Sequence, residues 1–135
     1  MWLDEDPSRS PANPNPGLTG NALPILKEIL TLLERLDATG EGGGIDLTSL
    51  PMSAADRQWL RDALGEGAVK ININAGGPSV IEETATSGVW WIIHFNEHNA
   101  QVGEFIEVTL IPDIVPTQLD DVASGVKRLE ARLTA

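Results

Sequence analysis

Leu23, Leu26, Ile29, Leu30, Leu33 and Leu36 recur at spacings of three and four, which predicts an amphipathic helix. Asn21 is the expected N-cap, Pro24 suits the first turn, and Gly40 is a plausible stop. The run Glu41-Gly42-Gly43-Gly44 then reads as a flexible joint. It follows a helix and lacks a Lys-Ser/Thr ending, so it does not have the form of a phosphate-binding loop. A shorter helix is predicted next, with Ser53 as N-cap and Asp56 at the third helical position. Trp59, Leu60, Ala63 and Leu64 form its apolar side, and Gly65 ends it.

The period then changes from helical to alternating. Val69, Ile71 and Ile73 alternate with Lys70, Asn72 and Asn74, which predicts a half-buried strand over 68–74. Further strands are predicted over 79–85, 89–95 and 102–110, separated by turn residues. Short loops imply an antiparallel meander. Pro112 and Pro116 interrupt the chain, and Thr117 can cap a final helix. Leu119, Val122, Val126, Leu129 and Leu133 are its expected buried stripe. Asp120 and Asp121 begin this helix, and Lys127, Arg128 and Arg132 lie toward its end, which suits the helix dipole. The predicted fold class is α+β: a four-stranded antiparallel meander packed on one face by helices, in the order α-α-β-β-β-β-α. Residues 1–20, with Pro7, Pro11, Pro14 and Pro16, read as a flexible arm, and residues 21–135 as a single domain. Trp2-Leu3 could act as a docking anchor on that arm.

The strand over 89–95 is apolar on both faces. Pairing Phe95 with Val102 puts Val89, Trp91, Ile93, Phe95, Glu104, Ile106 and Val108 on one face. The other face receives Trp90, Ile92 and His94, with Phe105 beside Ile92 and Glu107 beside Trp90. The first set suits a helix-packed core. If Lys70, Asn72 and Asn74 share the second face, that face is an apolar patch with a polar edge, which marks a contact surface. Trp90, Ile92, His94, Phe105 and Glu107 are therefore the candidate partner-binding residues. Cover by a loop or by the proline-rich arm is the competing expectation. Glu82 and Glu83 are adjacent, so one points to each face, and alternation does not say which.

Composition narrows the classes of function. The 135 residues carry 20 Asp and Glu against 9 Lys and Arg, a net charge of −11, which disfavours nucleic acid and anionic membranes. There is no Cys, which excludes disulfides, Cys-ligated clusters and thiol catalysis. The acidic start and the short apolar stretches predict no export signal or membrane span, so the expected location is cytoplasmic. His94 and His98 are the only histidines, and with Glu97 or Glu104 they form a conceivable metal site. A strand-end histidine beside a solvated loop histidine is the simpler reading. No Gly-x-Ser-x-Gly elbow is present, and neither Glu82-Glu83 nor Asp120-Asp121 is arranged as an acid–base pair.

The motifs Leu50-Pro51, Ala63-Leu64-Gly65-Glu66-Gly67-Ala68-Val69, Gly88-Val89-Trp90-Trp91 with His94, and Phe105-Ile106-Glu107-Val108 with Ile111-Pro112 occur in order. Together with the opening and closing helices, they resemble the hydrogenase expression protein family of the HupH/HyaF type over residues 22–133. Members of that family are commonly longer. The resemblance implies a non-catalytic, cytoplasmic factor in nickel–iron hydrogenase expression and maturation. It implies a chaperone-like partner of the hydrogenase small-subunit precursor or of a companion maturation chaperone, with no cofactor of its own and a possible homodimer. A metal-handling protein using His94 and His98, and a small enzyme with an unrecognised site, are the alternatives.

Overall fold

The structure, a computed structural model, describes residues 17–134. Residues 1–16 of the expected arm, including Trp2-Leu3, lie outside the described residues. Helix α1 runs from Ala22 to Thr39 and ends at Gly40, whose φ of 79° lets its N–H reach Leu36 O at 2.8 Å. Asn21 precedes it but does not cap it. Its side chain instead donates to Pro51 O at 2.6 Å, tying the helix start to the loop before α2.

The expected flexible joint is in part a strand. Residues Gly43–Asp46 form β1, which pairs antiparallel with the last strand, Gly43 opposite Val108 and Ile45 opposite Ile106. A four-residue strand with two glycines has no alternation to read. The glycines matter here because the chains pass closely: a Cβ on Gly42 would lie 2.2 Å from Val108 O, and one on Gly43 2.8 Å from Leu32 Cδ2. Among the described residues the sheet therefore has five strands, where the sequence pattern predicts four.

Helix α2, Ala54–Leu64, starts with the reciprocal cap expected of Ser53 and Asp56. Asp56 N donates to Ser53 Oγ and Ser53 N to Asp56 Oδ2, both at 3.0 Å. Strands β2 (Glu66–Asn74), β3 (Pro78–Thr84), β4 (Val89–Phe95) and β5 (Gln101–Val108) follow as the expected meander. The spatial order is β1-β5-β4-β3-β2, so α2 carries the chain from one edge of the sheet to the other. The β4–β5 register matches the counted one from Val89 opposite Val108 to His94 opposite Gly103. It then shifts, leaving Phe95 opposite Gln101, because Val102 sits in a bulge.

The main core lies between the sheet and the first two helices. Ile25, Ile29 and Leu36 of α1 and Leu60 and Leu64 of α2 pack with Ile45, Leu47, Val89, Trp91, Ile106 and Val108. Leu23 and Leu30, expected in the α1 stripe, are exposed at 48% and 56%; Ala22 and Ile25 take the buried arc instead. Each buried side chain of this size contributes about 1.5–3 kcal/mol.

Helix α3, Leu119–Thr134, departs furthest from the sequence pattern. None of its residues is buried. The stripe expected to face the core stands in solvent, from Val122 at 48% exposed to Leu119 at 83%.

Candidate interaction surface

The two faces of the sheet are finished differently. On the helix side, Lys70 pairs with Glu82 and Glu82 with Trp91, so the polar set of β2 lies on this face and not on the other one. This corrects the expected polar edge: the opposite face runs Ile71, Ile81, Ile92, Phe105 across four strands. Glu82 is thereby assigned to the helix side, where Arg61 Nη1 donates to it at 2.9 Å and Lys70 Nζ lies 3.6 Å away. These cations hold the Glu82 carboxyl below its ordinary pKa. Glu83 accepts from Gly88 N in the β3–β4 turn at 3.1 Å. Arg61, Lys70, Glu82 and Trp91 line an open cleft of about 510 Å³, in which both cations are paired with Glu82 and Asp62 and Glu66 add further carboxylates.

The other face carries all five candidate partner-binding residues, at two depths. Ile81, Trp90 and Ile92 form a small second core with Ile71, Ile73, Phe105 and Val115 packed around it. Trp90 and Ile92 are 5% and 1% exposed, so they make the floor. Trp90 Nε1 donates to Thr109 O at 3.0 Å, which anchors the chain leaving β5, and Val115 of the same segment lies over the floor. His94, Phe105 and Glu107 are half-buried and form the accessible rim. Among the described residues no helix packs on this face.

The rim is held in place by its neighbours. Ser79 Oγ lies 2.7 Å from His94 Nδ1, and the Phe105 ring meets the imidazole edge-on, with centroids 5.5 Å apart. Gly103 makes room for this: a Cβ there would lie 2.9 Å from Phe105 Cε2 and 3.6 Å from His94 Cδ2. Glu107 has its pKa raised, first by burial and then by Asp113, with His94 acting weakly the other way. Glu107 and Asp113 border a shallow cleft of about 360 Å³ with Gly42, Gly43 and Gly44.

The alternatives find less support in this geometry. His98 is exposed in the β4–β5 loop, while His94 is engaged by Ser79 on the sheet. Among the described residues no group of three or more His, Asp or Glu is placed to hold a metal ion. The Ser79–His94 contact has the length of a nucleophile–base pair. Among the described residues no carboxylate hydrogen-bonds that histidine to orient it.

The exposed stripe of α3 is the feature that reading the sequence as a globular domain missed. Its signal was present: spacings of three, four, three and four make a narrow seam, where a core-facing helix usually carries a wider apolar arc. No helix of the described residues is long and apolar enough to cross a membrane.

Comparison with known proteins places this geometry among relatives. Residues 19–135 match the family described as HupH hydrogenase expression protein, C-terminal conserved region. The hydrogenase expression/formation protein HoxQ of Azotobacter vinelandii is 33% identical over 111 residues, covering 81% of this chain and 39% of that protein. The hydrogenase-1 operon protein HyaF of Escherichia coli is 31% identical over 109 residues, 81% of this chain and 38% of its own length. This chain thus spans about two-fifths of the length of these curated relatives. The solved structure of hydrogenase expression protein HupH from Thiobacillus denitrificans superposes with a TM-score of 0.82 at 44% identity, covering 87% of this chain and 98% of that one.

Proposed function

The chain belongs to the HupH hydrogenase expression protein family through its C-terminal conserved region, and from that membership we propose that it is a non-catalytic accessory factor in nickel–iron hydrogenase maturation. It acts in the cytoplasm by binding polypeptide, either the hydrogenase small-subunit precursor or a companion maturation chaperone. Relatives named as hydrogenase expression or formation proteins supply the pathway. The observation that carries the binding role is the accessible part of the second sheet face, a rim of His94, Phe105 and Glu107 with half-buried Ile71 and Ile73, seated on the buried Ile81, Trp90 and Ile92. A rim that mixes half-buried apolar and polar side chains suits an amphipathic polypeptide segment. His94 and Phe105 supply an aromatic contact, and Glu107 supplies a carboxyl that can donate or accept a hydrogen bond.

Co-purification from a native host lysate tests this reading. Phe105→Ser and Glu107→Lys alter the rim and leave the Trp90–Ile92 floor in place. Each is expected to reduce recovery of the small-subunit precursor or the companion chaperone. Arg35→Ala on α1, whose ion pair with Glu41 is exposed, is the control and should leave recovery unchanged. Equal recovery by all of these variants and the parent would remove the sheet face as the binding surface.

A further inference from the structure

We propose that α3 is a self-association element that pairs antiparallel with α3 of a second copy of this chain. Among the described residues, eight of the twelve exposed large apolar side chains lie between Leu110 and Leu133, so the surface available for association is concentrated there. Leu119, Val122, Val126, Leu129 and Leu133 follow the heptad spacing of a helix that meets another helix along one seam. Among the described residues nothing buries that seam.

Charge selects the partner and the direction. The chain as a whole is at −11, but α3 balances Asp120, Asp121 and Glu130 against Lys127, Arg128 and Arg132. Its first half is acidic, and its second half carries all three cations. A parallel pair would place acid on acid and base on base. An antiparallel pair places each acidic half on the basic half of the other copy and also opposes the two helix dipoles. Asp121 and Arg132 stand on the same flank of the stripe, since eleven residues make three turns. An antiparallel pair centred near Val126 sets Asp121 against Arg132 of the second copy. The same centre brings Leu119 to Leu133 of the second copy, and Val126 to Val126. Small residues, Ala123 and Gly125, flank the centre, and a Cβ on Gly125 would meet nothing within 4 Å, so the helices can approach closely there.

This surface is separate from the sheet face, and the test reads the oligomeric state of the purified chain alone. Sedimentation equilibrium over the micromolar to millimolar range is expected to show a monomer–dimer equilibrium. Val126→Glu is expected to weaken it at least about a hundredfold, since it desolvates two like charges at the seam. Because α3 is exposed along its length, this variant should keep the circular dichroism of the parent domain. Asp121→Arg is expected to weaken the dimer, and adding Arg132→Asp should restore it. The chain has no Cys, which allows direct mapping of the register. Val126→Cys should crosslink two copies on oxidation, and Leu119→Cys should not. A parent chain that stays monomeric throughout, or a dimer unaffected by Val126→Glu, overturns the proposal. Crosslinking of both cysteine variants alike would indicate a parallel pair and overturns it too.

Discussion

Trp91 Nε1 donates to Glu104 Oε2 at 2.9 Å, joining the centres of β4 and β5 inside the main core. The other Glu104 oxygen accepts from Arg57 Nε at 2.7 Å, and the Arg61 guanidinium lies 4.3 Å from the Trp91 ring centroid. Thr48 Oγ1 further accepts from Glu104 N at 2.8 Å. The buried Glu104 carboxylate thus ties α2, β4 and β5, and the backbone of the same residue holds the loop after β1. The sequence placed Glu104 on the core face, where an acid looks out of place. Its partners come from positions 13 and 47 residues away.

Glu104→Ala is expected to destabilise the domain by about 2–4 kcal/mol, because it leaves the Trp91 N–H and the Arg57 guanidinium without their acceptor. The lower part of the usual range applies because the Arg57 side chain is 34% exposed. Urea unfolding followed by tryptophan fluorescence measures this. A change below about 0.5 kcal/mol, the size of an ordinary surface substitution, would show that the network carries little stability.

Asp56 ties the start of the described chain to α2. Its carboxylate accepts from Thr19 N at 2.9 Å, from the Thr19 hydroxyl and from Ser53 N at 3.0 Å. These bonds, those from Thr19 foremost, lower its pKa to about 2. A depressed carboxylate pKa means stability that is fully present above the unfolded value and is lost as pH falls toward the folded value. The parent is therefore expected to lose stability more steeply than Asp56→Asn between the ordinary Asp range and pH about 2. Urea midpoints measured down that range should converge for the two proteins. Parallel curves would contradict the assignment.

Glu107 should behave oppositely. Its raised pKa means that the folded chain favours the protonated carboxyl, and that this stability is lost as pH rises through the folded pKa. Glu107→Gln is therefore expected to raise the thermal midpoint at neutral pH, with the advantage shrinking on acidification. Asp113→Asn should give part of the same gain by removing the neighbouring charge. A Glu107→Gln variant less stable than the parent at neutral pH would count against it.

Gly42 and Gly125 separate close approach from open space. Gly42→Ala would drive a Cβ into Val108 O, and is expected to cost about 1–3 kcal/mol through displacement of β1. Gly125→Ala has nothing within 4 Å of the new Cβ and favours the helix by about 1 kcal/mol. Hydrogen exchange should show Ile45 less protected in the first variant and α3 more protected in the second. Unchanged protection at Ile45 would show that β1 does not depend on that close passage.

Legibility in the sequence followed the range of the interaction. The Ser53–Asp56 cap, the Gly40 stop, and the β2–β5 meander with its register up to Gly103 all rest on spacings within one element or across one hairpin. The strand register places Trp90, Ile92, His94, Phe105 and Glu107 on one face of the sheet. Their depth was not legible, because burial of Trp90 and Ile92 depends on Ile81, Val115 and Thr109, which reach them through strand order and a later segment. β1 was hidden because two glycines and four residues give no periodic signal, and only the free edge of β5 makes them a strand.

The sequence by itself determined the three helices, the strands β2 to β5, the family likeness and the two-sided apolar strand at 89–95, since all of these are local patterns of side-chain size and polarity. Only the tertiary structure decided which apolar stripes find a partner. The stripes of α1 and α3 both predict an apolar face, though that of α3 is the narrower. The first meets the sheet along Ile25, Ile29 and Leu36, while the second keeps Leu119, Val126 and Leu133 in solvent. A hydrophobic period states that a face favours leaving water. It does not state whether the surface that receives it belongs to the same molecule.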